Sequence, residues 1–174
     1  MNELDFASRV ANRIFGQPLV MNVFRGSVVE EMVGAALSEE WTMCSSDYAP
    51  HDLQHKSRGW RIQVKQSAAR QSWGTITARP TFSIAFKQGR YEDGTTYIEE
   101  RSRNADIFIF GWHPITDETA NHLDVNQWQF FVVAEKCLPQ AASISLRSLA
   151  GLSRPIDWTQ LPETVSAACQ VLGN

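Results

Sequence analysis

From Trp60 to Ser67 the chain reads WRIQVKQS, with apolar and polar positions alternating as far as Lys65. Trp60, Ile62 and Val64 fall on one face of a strand, and Arg61, Gln63, Lys65 and Ser67 on the other. His51 to His55 has strand character as well, and Lys56 to Gly59 is polar and short enough to close a hairpin between the two. Two helices are expected upstream. Residues 4–15 repeat Phe6, Val10 and Ile14 at four-residue spacing before Gly16 and Pro18 end the pattern. Ser27 to Glu40 carries the stripe Val29, Met32, Val33, Ala36 and Leu37, with Ser27 suited to an N-cap. Trp41 to Ser45 reads as a short strand, followed by the turn Ser46-Asp47-Tyr48-Ala49-Pro50.

Downstream the pattern loosens. Ser72 to Pro80 is polar with few apolar positions, Phe82, Ile84 and Phe86 alternate as in a strand, and Gly89 to Gly94 reads as a loop. Asp106 to Trp112 (DIFIFGW) is almost wholly apolar, as in a central strand covered on both faces. Trp128 to Ala134 reads as another strand, joined to it by a loop from His113 to Gln127. After Leu138-Pro139 the segment Ser143 to Leu149 suits a strand or a short helix, and Pro162 suits the first turn of a last helix. This order predicts one α/β domain over residues 1–174, its mixed central sheet flanked by helices.

Composition narrows the class. With 174 residues, 43% hydrophobic and 20% charged, the chain is ordinary for a globular domain. It has no apolar run approaching the roughly 20 residues of a membrane span. The N-terminal MNELDFASRV has no signal-like apolar region, so a cytoplasmic location and no membrane partner are expected. Cys44, Cys137 and Cys169 have neither disulfide nor zinc spacing and are expected to be buried free thiols. The formal charge of −3 is uneven: Gln54 to Arg103 holds ten Lys and Arg against four Asp and Glu, or +6, leaving −9 on the flanks. That distribution suits one phosphate-facing side and equally suits a solvated surface.

The hairpin adds chemistry. Its arms lie about 5 Å apart, so Asp52 on the first can meet Gln63 and Lys65 on the second. Glu30 borders the apolar stripe of the Ser27 to Glu40 helix, about 100° round from Val29, and could reach the same place. It could equally close a capping box with Ser27. Oxygen donors of this kind (Asp52, Gln63, the Val64 carbonyl, Glu30) suit a hard cation such as Mg²⁺ or Mn²⁺, and a nearby ammonium suits phosphodiester hydrolysis. Asp47 could stand in for Asp52, or Asp52 could simply pair with Lys56 or Arg58.

Asp52, then Gln63-x-Lys65, after a helix bearing Glu30, resembles the PD-(D/E)xK, or restriction-endonuclease-like, nucleases. More narrowly, HDLQHKSRGWRIQVKQSAARQSWG is similar to an uncharacterised bacterial family with a "WDF … G.R.EVKQSAA.QSWG" core, and RNADIFIFGWHP and NQWQFFVVAEKCLP also resemble it. The likeness spans about residues 25–149. It implies a restriction-endonuclease-like fold and a Mg²⁺- or Mn²⁺-dependent endonuclease acting on DNA. Asp52, Gln63, Lys65 and Glu30 would be catalytic, and Asp52, Gln63, Val64 and Glu30 would hold the metal. Arg61, Gln66, Ser67, Arg70 and Trp73 would face nucleic acid, and a homodimer would suit cutting of both strands. Two departures stand out: Gln63 replaces the usual glutamate, and Pro50 precedes His51-Asp52 by one place too many. The first leaves open a catalytically degenerate member acting as a nucleic-acid- or protein-binding module.

Overall fold

The computed structural model describes residues 3–44, 49–92 and 95–173. Five strands make the central sheet: β1 (Trp41–Met43), β2 (Leu53–His55), β3 (Arg61–Ala68), β7 (Ile107–His113) and β8 (Gln129–Ala134), in the order β1-β2-β3-β7-β8. All neighbours are antiparallel except β3 and β7, which run parallel from Ile62 beside Ile107 to Ala68 beside His113. Between β3 and β7 lie β4 (Thr81–Ser83), β5 (Arg90–Glu92) and β6 (Thr96–Ile98). β4 pairs with β9 (Ser143–Ser145), and β5 with β6, outside the central sheet. Helices α1 (Glu3–Phe15), α2 (Asn22–Ala36), α3 (Leu146–Ala150) and α4 (Leu161–Leu172) complete the chain. The result is the expected mixed α/β architecture, a mixed sheet flanked by helices.

The alternation of β3 and the unbroken apolar run of β7 build two cores. Ile62, Val64, Ile107 and Ile109 face α2 and α4, meeting Val29, Val33, Leu161 and Val165. Phe108 and Phe110 face the other way and join Phe82, Ile84, Ile144 and Leu149. Every residue of β7 is buried, as a strand covered on both faces requires. Val29 of α2 packs closely over Gly111: a Cβ there would stand 2.9 Å from Val29 Cγ1. At the hairpin, Gly59 takes φ of +68°, a conformation open to glycine without cost.

Several boundaries moved, each for a tertiary reason. α2 begins at Asn22 rather than Ser27, so Ser27 is interior to the helix and caps nothing. Its first turn is anchored instead by Arg25. That guanidinium, 1% exposed, donates to Gln66 Oε1 at 2.7 Å, Asn22 Oδ1 at 2.8 Å and Gln71 Oε1 at 3.2 Å. α2 also ends at Ala36 instead of Glu40, where Lys56 Nζ binds the carbonyls of Ser38 and Glu39 at 2.7 and 3.0 Å and bends the chain into β1.

The expected Gly89–Gly94 loop contains β5, because Arg90–Glu92 finds a partner in Thr96–Ile98. Ser143 to Leu149 is both strand and helix, with Ser145 as the cap accepting from the Ser148 amide. Cys169 is buried as expected, but Cys44 is half-buried and Cys137 exposed. Asp47, Ser45 and the turn residues Ser46 and Tyr48 lie outside the described residues, as does Gly94. Among the described residues no helix is long and apolar enough to cross a membrane.

Candidate functional site

The arms of the hairpin are unequal, and that inequality makes the site. β2 pairs with β3 only through Leu53–Ile62 and Gln54–Arg61, while β3 runs on to Ala68. The Asp52 amide still donates to the Ile62 carbonyl at 2.9 Å. One residue pair further, Val64 turns its amide and carbonyl to the same side, where no described strand remains to meet them. The Asp52 carboxylate takes that place: Oδ2 accepts from the Val64 amide at 2.6 Å and from Gln63 Nε2. Asp52 therefore does not pair with Lys56, which binds carbonyls of the α2–β1 turn, or with Arg58, which lies over Trp60.

Gln63 and Lys65 stand beside Phe108 and Phe110, on the sheet face opposite α2. Gln63 is 6% exposed and Lys65 is half-buried, so neither sits on wet surface. They line a cavity of about 130 Å³ with Ser83, Ala85, Lys87 and Arg103. Glu30 sits on α2, across the sheet from that cavity and not among its lining; it is linked to Asp52 and Lys65 through their charges.

Electrostatics tie the four groups together. Burial holds the Asp52 carboxyl above its ordinary range, more strongly than its hydrogen bonds and Lys65 bring it down. Burial also raises Glu30, and the charge on Asp52 raises it further. The Lys65 ammonium is lowered by burial, with Asp52 opposing that shift and Lys87 adding to it. Neither Lys65 nor Glu30 makes a hydrogen bond or ion pair with any described residue. Two desolvated carboxylates and one desolvated ammonium thus act on one another's charge without pairing directly, an arrangement that favours uptake of a cation at the acids and an anion at the lysine.

The donor set is entirely oxygen: Asp52, Glu30, the Val64 carbonyl, and Gln63 once its amide turns to present Oε1. No group of three His, Cys, Asp or Glu able to hold a metal forms among the described residues. An ion here would rely on amide, carbonyl and water oxygens beside the carboxylates, which fits a hard cation such as Mg²⁺.

Other candidates scatter. Arg61 is taken by Asp106, which accepts from its Nε at 3.1 Å, its Nη2 at 3.0 Å and its backbone amide at 2.8 Å. Gln66 is taken by Arg25 and by Asn22. Ser67 is half-buried further along β3, Arg70 is half-buried just beyond its end, and Trp73 is 64% exposed. His55 packs edge-on between Trp41 and Trp60 and accepts from the turn amides of Ser57 and Arg58. His113 is the last residue of β7, not a loop residue, and lies in the core against Gln127, His122 and Trp128. Sequence reasoning missed Lys87 as a neighbour of the site. Its only signal was membership of the basic middle segment.

The fold and site together define an α/β domain with a carboxylate, amide and ammonium cluster at the open edge of a strand. No protein-family model matches the chain, and no curated protein does. Among solved structures, the chain is similar to one described as the structure of a bacterial homing endonuclease, I-Ssp6803I. They share 15% identity and a TM-score of 0.44, over 84% of this chain and 96% of that one. At that level of likeness the geometry of the cluster has to carry the functional reading.

Proposed function

We propose that the protein is a Mg²⁺- or Mn²⁺-dependent nuclease of the restriction-endonuclease-like, PD-(D/E)xK class, hydrolysing DNA phosphodiester bonds. The observation that supports this reading is the Asp52 carboxylate held by the Val64 amide and Gln63 Nε2, two residues from Lys65 on the same face, where β2 stops and β3 continues, with Glu30 within reach of their charges. Asp52, Glu30, the Val64 carbonyl and the turned amide of Gln63 would hold the metal. Bound there, a divalent ion supplies phosphate polarisation and a water of lowered pKa. Lys65 contributes a desolvated ammonium facing the cavity, able to orient the attacking water and to offset charge building on phosphorus. The Val64 amide fixes the Asp52 carboxylate, and burial between the two cores keeps Gln63 from swinging into bulk water.

A second reading has its own support. With Gln63 Nε2 donating to Asp52 Oδ2, the carboxylate is satisfied without an ion, as in a member that keeps the fold to bind nucleic acid or protein. Plasmid nicking with Mg²⁺ or Mn²⁺ is expected for the wild type and absent for Lys65→Ala; equal activity in the two defeats the nuclease reading. Gln63→Glu is expected to tighten ion binding, by calorimetry, at least several-fold, since a further negative charge joins the carboxylates of Asp52 and Glu30. Tighter uptake with no cleavage in either form would favour the binding module.

A further inference from the structure

Lys87 is shared by two cavities. One is the space it lines with Gln63 and Lys65; the other, of about 220 Å³, is lined by Pro50, Lys87, Gly89, Arg90, Tyr91 and Asn104. Asn104 is the unusual member. It is 2% exposed and takes φ of +56°, a left-handed conformation that asparagine tolerates better than most side chains. Its Oδ1 accepts from the Ser102 hydroxyl at 2.6 Å, whereas its buried Nδ2 has no acceptor among the described residues. A buried donor left unmatched costs stability unless something fills the place.

The surroundings are cationic. Lys87 and Ser102 exchange backbone hydrogen bonds at 2.8 and 3.1 Å, which seats Lys87 beside the Ser102–Asn104 segment. Among the described residues the Lys87 ammonium has one hydrogen-bond partner, the Pro50 carbonyl at a long 3.5 Å. Arg90 is paired with Glu100 through Nη1, and its other side-chain donors meet no acceptor among the described residues. Among the described residues no carboxylate lines the cavity itself. Pro50 and Lys87 join it to the Asp52 site: Pro50 lies two residues before Asp52 in the chain, and the Lys87 charge is felt by both Asp52 and Lys65.

We propose that this second cavity binds a backbone phosphate of the nucleic acid, adjacent to the one presented to Lys65, with Lys87 and Arg90 as the charges and Asn104 Nδ2, shielded from solvent in the free chain, donating once the side chain shifts towards the cavity. The proposal rests on nucleic acid being the partner but not on cleavage. Lys87 would bridge the two phosphate positions, and Asn104 would set the register of the strand. The same chemistry would accept inorganic phosphate, so the source has to be separated by experiment.

Binding of a fluorescently labelled DNA duplex to the full chain in EDTA tests it without any hydrolysis. Lys87→Ala is expected to weaken binding about tenfold and to lower the slope of log affinity against log salt by about 1. Asn104→Asp, which exchanges the donor for a charge, is expected to lose about tenfold. Asn104→Gly keeps the left-handed backbone and removes the donor, together with the Oδ1 acceptor of Ser102, without adding a charge, so a smaller loss, roughly threefold, is expected. If Asn104→Asp fails to fold, Asn104→Gly and Lys87→Ala decide. Wild-type affinity in those variants, or no duplex binding by the wild type, overturns the proposal. Inorganic phosphate that raises the melting temperature only when Lys87 is present, while duplex affinity ignores all three substitutions, assigns the cavity to free phosphate and overturns the nucleic-acid assignment. Duplex binding that depends on these residues, in a protein that never cleaves when Mg²⁺ is added, upholds this site while the nuclease reading falls.

Discussion

Asp52→Asn is expected to reduce cleavage by roughly a thousandfold or more, about 4 kcal/mol of transition-state stabilisation, and at the same time to raise the melting temperature. The two effects have one cause. Burial holds the Asp52 carboxyl above its ordinary value, so the ionised form that a metal needs is a cost to the apo fold. A carboxylate whose folded pKa exceeds its unfolded one carries its full penalty above the folded pKa, and the penalty fades as pH falls through it. Asparagine removes the charge at every pH, and its Oδ1 can still accept from the Val64 amide, so the hydrogen bond at the end of β2 survives. Thermal melts from pH 8 down to pH 4 should therefore show the variant above the wild type at neutral pH and the gap narrowing with acid. Mg²⁺ should raise the wild-type melting temperature and leave the variant where it is. A variant that melts lower than the wild type at pH 8 would mean that the carboxylate is stabilised by its surroundings and is not held in reserve for a cation.

Acid is expected to destabilise the protein through His122, by on the order of 3 kcal/mol. His122 is fully buried. The Val20 amide donates to Nδ1 at 3.0 Å, which leaves the ring proton on Nε2 for the Arg70 carbonyl at 3.1 Å. His113 and Trp128 rings enclose it. Burial, helped by the charges of Arg25 and His113, lowers its pKa from 6.5 to about 4. The unfolded chain binds the proton first as pH falls, so stability is complete above about 6.5 and is lost progressively towards 4. His113, also lowered by burial, adds to the loss, while Asp52 and Glu30 titrate with the opposite sign. Denaturant melts in the Asp52→Asn background remove the Asp52 part of that opposition. There His122→Gln should flatten the decline between pH 6.5 and 4, and an unchanged slope would assign the acid sensitivity elsewhere. The loss matters for the site because His122 holds the Val20 and Arg70 segments together, and Arg70 follows directly on the β3 extension.

The cluster itself was legible in the sequence to an unusual degree. Alternation in WRIQVKQS separates Ile62 and Val64 from Gln63 and Lys65, and a short polar loop returns Asp52 to their side; both are local properties. Glu30 was ambiguous, because Ser27-x-x-Glu30 satisfies the spacing of a capping box. The ambiguity ended with Arg25. A guanidinium bound by Gln66 and Gln71, about forty and forty-six residues on, carries the start of α2 back to Asn22, and no rule confined to a helix's own ends could have found those partners. The same network claims Gln66, which spacing alone left free for phosphate, just as Asp106 claims Arg61.

By itself, then, the order of side chains determined the elements around the site: a buried central strand from Ile107, an amphipathic α2, and a hairpin with its acid on one arm and its amide and lysine on the other. These follow from periodicity and turn chemistry, which act over a few residues. Tertiary structure decided which of the polar groups are available for chemistry. Charge and hydrogen-bonding capacity are spent on whatever lies nearest in space, and for Arg25, Arg61, Gln66 and Lys87 the nearest groups belong to distant parts of the chain.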